Sequence, residues 1–562
     1  EAIFRRVYGL AGSKLPVKRL WISSMEDSAI QQGFDSLKDG AEYDNLFAAS
    51  ECRAKADWLI GMNGTRAFTK KYGRRQTIGR VQTPTLAMLT ERQNKIQNFV
   101  KEPYYKVEIT GNGIVAESER MAQEQDADTM QAACDGQCAV VGSIEHKRKE
   151  QSAPKLYDLT TLQREANRYY GFTASQTLKI VQELYEEKLV TYPRTDSQYI
   201  TEDMQQTMAD LLKHYGGEAD GVKQVVNNKK VTDHHAILPT LESCKRGSNS
   251  LSGDKEKVFA LIVWKMQQAV QPPYIYEDVL VTVCCQDRKF TAKYKKVLQA
   301  GHTAMPVPFA EQEKSKDMAF PKKLEQGEEK KQGFTSPPKA FTEDTLLSAM
   351  ESAGNKEFEK DTEKKGLGTP ATRAAILEKL VSSGYVERKG KQILPSAEGV
   401  TAIANIPDYL KSASMTAEWE NELLRMERGE TKPADFMQGI GGLLERMLAD
   451  LRQIPTVQES PIYNKVSIGN CPVCGKPVCE GKLNFYCSDW DCKFALWKES
   501  KYLSGMKKTL TKKMATDLLK KGRTYAKDFY SAKKDKTFAA DLVMAIENGR
   551  AQYSLEFPKT PA

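Results

Sequence analysis

The chain has 562 residues, enough for about three to five domains with sizeable cores. Apolar residues make up 40% and charged residues 28%, an ordinary soluble composition. No apolar run reaches the ~18 residues of a membrane helix and no secretory leader is visible, which excludes a membrane partner and sets a cytoplasmic expectation. The text opens on Glu1 inside the helix-like run "EAIFRRVYGL", so an upstream part is expected.

In chain order, "SECRAKADWLIGMNGTRAF" reads as an amphipathic helix, and "GRRQTIGRVQTPTLAMLTERQ" as a glycine-containing loop opening another. Residues 103–150 shift to β-like runs such as "YYKVEIT" and "CAVVGSIEH". Helical text returns in "LTTLQREANRYYGFTASQTLKIVQELYEEKLV", and "YEDVLVTVCCQDRKFTAKYKKVL" is again strand-rich. Six lysines and six acids across 311–333 predict an exposed loop. From 341 the text is helical, and "ATRAAILEKLVSSGYVERKGKQILPSAEGVTAI" has the helix, turn and short β-wing of a winged helix. The run "QIPTVQESPIYNK" predicts a linker into a cysteine-rich module. β text thus brackets one helical block and helical text brackets both, as if the chain left domains and re-entered them.

Twelve Lys/Arg against three acids in residues 501–540 account for the whole formal net charge of +9. That stretch reads either as a polyanion-binding surface or as a solvated lysine-rich face. Eleven cysteines are unevenly spread, five of them between Cys471 and Cys492, which argues for a local metal site in a reducing compartment and against a disulfide framework. The spacing C-x2-C, twelve residues, C-x4-C makes Cys471, Cys474, Cys487 and Cys492 candidate ligands of a tetrahedral zinc ribbon, with Cys479 spare. Phe485, Tyr486, Trp490, Phe494 and Trp497 interleave with them, either as a tiny core or as stacking platforms for nucleobases.

The stretch "LVTYPRTDSQYI" places a tyrosine, an arginine and an aspartate within five positions. A phenol titrates near pH 10 and is a poor nucleophile unless its anion is stabilised. Arg194, two residues beyond Tyr192, shares its face in an extended segment and suits a phosphate oxygen, while Thr191, Thr195, Asp196 and Ser197 add hydrogen-bonding groups. Pro193 keeps the backbone out of helix. The cluster is either a nucleophile with its phosphate clamp or an ordinary strand-to-loop junction. His234 and His235 of "VTDHHAILPT" could serve a phosphodiester or sit satisfied in a loop. In "KKGLGTPATRAAIL", Gly366 and Gly368 precede Thr369 and Thr372, which could cap a helix whose amides face an anion, with Arg373 in its first turn; a plain N-cap explains them equally. No G-x-x-x-x-G-K-[ST] is present, so P-loop ATP hydrolysis is not supported and no ATP requirement is expected.

The ordered set "WISSM", "ECRAKADWLIGMNGTRA", "IGRVQTPTLAMLTER", "LVTYPRTDS", "DHHAILPT", "PPKAFTEDTLLSAME" and "GLGTPATRAAIL" resembles the type IA DNA topoisomerases, nearest to the bacterial topoisomerase III group, from Glu1 to about residue 450. The resemblance implies a multidomain mixed α/β chain: the family's toroid with winged-helix-like domains, plus a C-terminal zinc ribbon and basic module. The implied domains are a Toprim remnant at 1–24, a DNA-groove domain at 25–95 and 341–455, a β-rich gate at 96–152 and 275–340, the tyrosine domain at 153–274, the ribbon at 466–500 and the basic module at 501–562. It implies that Tyr192 forms a 5′-phosphotyrosine link, that Arg194 and His234 hold the scissile phosphate, and that Glu186 and Gln182 line the site. Arg53 and Asp57 fall in the strand-binding groove, and Arg80 and Gln82 border bound single-stranded DNA. Thr191, Asp196, Thr369, Thr372 and Arg373 fall among the expected DNA contacts. DNA is the implied partner, with a helicase as a second, for a monomer acting on the nucleoid or a plasmid. Magnesium is the implied cofactor, but the family's Toprim acids lie upstream of Glu1, which looks like the last residue of a "D-x-D-R-E-G-E" motif. The implied activity is cleavage, strand passage and religation; the alternative is a fragment that only binds single-stranded DNA.

Overall fold

The computed structural model describes residues 2–22, 27–73, 76–231, 234–246, 251–309, 327–354, 366–453, 467–481, 483–489, 492–531, 534–547 and 549–557. Glu1, residues 23–25 of the "WISSM" motif, Asp233, most of the mixed-charge segment (310–326), the linker (454–466) and Trp490 lie outside them. The chain divides into two compact units, Glu1–Ile454 and Pro455–Ala562.

In the first unit the 29-residue helix Asp44–Tyr72 buries Ala49, Cys52, Ala56, Ile60, Gly64 and Phe68, a three-to-four-residue spacing that puts them on one stripe. That stripe packs on the helices Ala413–Glu427 and Pro433–Gln453. The helix Gln82–Gln97 joins the same core, together with the helix Pro370–Ser382 and the paired strands Val386–Lys389 and Gln392–Pro395. Text more than 250 residues apart therefore shares one hydrophobic interior, which fixes the two walls of a cleft described below.

A six-stranded antiparallel sheet runs in the order Ala139–Gln151, Tyr274–Cys285, Arg288–Gln299, Ile114–Glu117, Pro103–Gly111, Gly327–Phe334. The last strand corrects the expectation of a loop across 311–333. Its sequence GEEKKQGF has no apolar alternation, yet every residue from 327 to 334 pairs with the 103–110 strand. Backbone pairing and ion pairs hold it instead: Lys331 reaches Glu108 at 2.7 Å, and Lys330 reaches Glu124 at 3.1 Å and Asp128. Charges on an edge strand also discourage pairing with another chain.

Residues 156–270 form a helical block around the helix Gly253–Ala269, with one core about Leu162, Val181, Leu184 and Val190 and a second about Leu211, Leu212, Leu238 and Met266. In the second unit a four-stranded sheet (467–470, 477–480, 484–487, 495–497) is followed by the helix Lys512–Lys521 and a three-stranded sheet (523–531, 536–547, 550–556). Phe485, Phe494, Leu518, Phe529 and Leu542 meet in one core, so the ribbon and the basic module pack as one body. Among the described residues no helix is long and apolar enough to cross a membrane.

Candidate active site

The segment after the helix Ala174–Glu186 is extended and laid against residues 236–240. Thr191 donates its amide to Leu238 O at 2.9 Å and Thr240 donates to Leu189 O at 3.1 Å. The Thr191 hydroxyl donates to Ala236 O at 3.1 Å and accepts from the Leu238 amide at 3.0 Å, and Thr195 Oγ1 donates to His234 O at 2.9 Å. Burial alternates along this strip: Thr191, Pro193, Thr195 and Ser197 are buried, Tyr192 is half-buried, and Arg194 and Asp196 are exposed. A period of two in an extended chain puts Tyr192, Arg194 and Asp196 on one outward face. Thr191 looks inward, where its hydroxyl bridges the two extended segments.

The Tyr192 ring lies 4.5 Å from the His234 imidazole, centroid to centroid, and 5.4 Å edge-on from Tyr185. His234 also stacks on Trp21 at 5.7 Å and 26°. The guanidinium of Arg19 lies 4.4 Å from the Trp21 ring and 4.2 Å from that of Tyr43. His235 is different in kind: it is fully buried, burial pushes its pKa down, and its Nδ1 lies 2.8 Å from Ala236 O, so it is a neutral structural group. Glu186 is exposed and accepts from Gln182 Nε2 at 3.0 Å, a pair within one helix turn near the end that leads into the tyrosine strip.

A second surface is a cleft of about 710 Å³ lined by Arg53, Asp57, Arg80, Gln82, Thr369 and Thr372 among others. Arg80 donates to Asp57 Oδ1 at 2.9 Å and to Glu420 Oε1 at 2.7 Å, while Arg53 donates to Glu420 Oε2 at 2.6 Å. Burial opposes the Arg80 charge, and Asp57 with Glu420 more than offsets it, so its pKa is held above the ordinary arginine value. Gly366 and Gly368 take positive φ of 61° and 74°, and a Cβ at Gly366 would lie 2.3 Å from Met350 O. These glycines bring the chain tightly round to Thr369, which caps the helix Pro370–Ser382 in a capping box with Thr372. Arg373 is 2% exposed, donates to Thr160 Oγ1 at 2.8 Å and to Leu367 O at 3.2 Å, and ties this helix to the helix Leu159–Tyr170.

Sequence reasoning did not single out Arg19, Tyr185, Glu420, Trp21 by itself, or Trp58 and Met62, which stand exposed on the cleft wall. A signal existed only for the last two: large apolar residues one turn apart on the same helix as Arg53 and Asp57.

In the second unit the sulfur atoms of Cys471, Cys474, Cys487 and Cys492 all lie within 4.8 Å of one another. Backbone amides of Val473 and Asp489 point at Cys471 Sγ and Cys487 Sγ, both at 3.4 Å. Burial drives the Cys487 thiol up to about 12, a cost that a bound cation would reverse. Cys479 is buried apart from this cluster, and Phe485 and Phe494 are core, leaving Trp497 exposed.

The family described as DNA topoisomerase matches residues 41–438. DNA topoisomerase 3 of Bacillus licheniformis is 36% identical over 536 residues, covering 88% of this chain and 72% of that protein. DNA topoisomerase 3 of Bacillus subtilis is 36% identical over 534 residues, covering 88% and 73%. The full-length topoisomerase I structure from Thermotoga maritima superposes with a TM-score of 0.63 at 19% identity, over 98% of this chain and 85% of that one, a likeness of fold. The chain belongs to the type IA DNA topoisomerases, close to topoisomerase III.

Proposed function

We propose that this chain cuts and rejoins one strand of single-stranded or underwound DNA through Tyr192. The phenol oxygen attacks phosphorus, the P–O3′ bond breaks, and the 3′-hydroxyl leaves with the proton the phenol gave up. The 5′-phosphotyrosine keeps the bond energy, so religation needs no ATP. Arg194, on the same outward face, and His234, in ring contact with the phenol, stabilise the charge that develops on the non-bridging oxygens. Glu186, with Gln182, supplies polar groups near the start of the tyrosine strip. The observation that carries the reading is the period-two strip that turns Tyr192 and Arg194 outward beside His234.

The cleft is the strand-binding groove in this reading. Thr369 and Thr372, exposed at a helix N-terminus, meet phosphates and sugars, Gln82 borders the strand from a buried position in the cleft wall, and Trp58 offers a flat face to a base. Arg80 and Arg53, already paired with carboxylates, hold the wall in shape. Asp196 extends the outward face of the tyrosine strip. The domains take the boundaries given above, with 153–274 carrying the tyrosine and 25–95 with 341–455 carrying the groove. A monomer, with a helicase to supply single strands, completes the proposal.

Among the described residues the one cluster of three or more metal-ligating side chains is the cysteine set, whose soft thiolates do not suit magnesium. Zinc does fit, and Cys471, Cys474, Cys487 and Cys492 would hold it; its role there is to fix the fold of the ribbon.

The test is covalent trapping. A labelled single-stranded oligonucleotide is mixed with the protein and magnesium and quenched with detergent. A 5′-linked adduct that disappears in Tyr192→Phe supports the proposal; an adduct that persists in that variant, or none from the wild type, leaves a protein that only binds DNA.

A further inference from the structure

Trp21 has no place in the mechanism above, yet it touches the group that the tyrosine touches. It lies just past a short strand in which Arg19 pairs with Lys38. Its backbone is gripped from behind: a Cβ at Gly33 would fall 2.7 Å from Ile22, 2.8 Å from Leu20 and 3.2 Å from Trp21 O, so the 27–35 helix can approach this closely only with glycine there. Its ring is flanked by Arg19, whose guanidinium also contacts Tyr43, and stacks on His234. Beyond His234 the column continues to Tyr192 and then Tyr185. One end of this column is thus fixed by a tight helix crossing, and the reacting phenol lies near the other, between His234 and Tyr185.

A structural role alone explains this poorly. Trp21 is half-buried and, among the described residues, takes part in none of the hydrophobic cores. It borders an open cavity of about 740 Å³ with Arg19, Lys38, Tyr43 and His234. An indole at a cavity wall contributes little packing, but it offers an imidazole a broad flat surface that restricts the ring's rotation.

We propose that Trp21 is a positioning residue for strand cleavage: held by Arg19, it fixes the His234 imidazole in the orientation that serves the phosphate at Tyr192. The inference rests on the reading of Tyr192 and His234 given above. Trp21 touches neither phenol nor DNA in this scheme and acts through the imidazole. A ring free to turn delivers its N–H to the phosphate oxygen in a fraction of encounters, and small misplacements of catalytic groups cost up to about 100-fold in rate.

The experiment measures adduct formation in single turnover, at saturating protein with magnesium, for Trp21→Ala, Trp21→Phe, His234→Ala and the Trp21→Ala/His234→Ala double variant. Oligonucleotide affinity by anisotropy and the thermal midpoint are read alongside. Trp21→Ala is expected to cleave about 10- to 100-fold slower with unchanged affinity and midpoint, and Trp21→Phe, which keeps a ring for His234 and Arg19, to recover most of the rate. The double variant should be no slower than His234→Ala alone, since groups acting as one unit do not add. A further loss in the double variant, or no recovery with Phe, overturns the inference and makes Trp21 a structural residue. If His234→Ala slows cleavage while Trp21→Ala does not, the inference falls and the reading of His234 stands. If His234→Ala cleaves at the wild-type rate, the role of the imidazole falls and the inference with it.

Discussion

Arg80 is 8% exposed, and the two carboxylates it reaches belong to helices far apart in sequence. Removing it takes from the largely buried Glu420 its ion pair with Arg80 and leaves the one with the partly exposed Arg53. Arg80→Ala should therefore lower stability by about 3–5 kcal/mol, the usual cost of breaking a buried pair from one side, visible as a fall in the urea midpoint. A midpoint within error of the wild type would mean that the pair adds nothing to the fold. Asp158 makes a second case. It caps the helix Leu159–Tyr170 by accepting from Thr161 N at 2.6 Å, and burial raises its pKa from 3.8 to about 7. Between those values the folded chain holds a proton that the unfolded chain has released, so this group's contribution to stability declines as pH climbs toward 7 and is level above it. Asp158→Asn keeps the capping oxygen and loses the titration. Its stability relative to wild type should be higher at pH 8 than at pH 5 in urea unfolding, and an equal difference at both would show that Asp158 is not the titrating group. At this scale the sequence exposed what is local. The alternation through Thr191–Ser197 is a property of neighbours, whereas nothing near Trp21 or Glu420 announces His234 or Arg80, because those contacts close over hundreds of residues.

The elements differ in how much of them a sequence can reveal. The winged-helix text at 370–404 carries its own caps and turns: Thr369 and Ser396 as N-caps and a short β-hairpin between. Such elements are written in adjacent residues. The strand Gly327–Phe334 carries no such writing, because its partner supplies both its hydrogen bonds and its counter-charges. The burial of Arg373 was hidden for a related reason, since the first turn of a helix gives no sign of the distant Thr160 to which its guanidinium donates. The clustering of the four cysteines was legible from spacing, yet the core this region shares with the basic module was not, since the Phe485–Phe529 interior joins two texts of unlike composition. Four sulfur atoms this close make a ready ligand set whose binding energy would add to folding, so zinc should be required for the ribbon. Purified protein should hold one zinc per chain, and Cys474→Ser should lose metal and render the second unit sensitive to protease. A metal-free chain with a protease-resistant second unit would defeat this.

At the scale of the whole molecule, charge and chemistry occupy different units. The tyrosine strip and cleft belong to Glu1–Ile454, and the net +9 of residues 501–540 belongs to Pro455–Ala562. Removing residues 467–562 should weaken binding to single-stranded DNA and flatten its salt dependence, by about 0.7 in the log–log slope for each phosphate no longer neutralised by a lysine or arginine. Cleavage chemistry at saturating DNA should survive. An unchanged slope would make the lysines a solvated surface.

The column from Arg19 to Tyr192 joins a segment near the chain's start to one nearly two hundred residues later. The tyrosine and its histidine share a bed of hydrogen bonds and travel together, while the tryptophan arrives from elsewhere. On the mechanism proposed above, chemistry at the phosphate then depends on two distant segments staying in register, because the imidazole keeps its guide only while Trp21 is stacked on it.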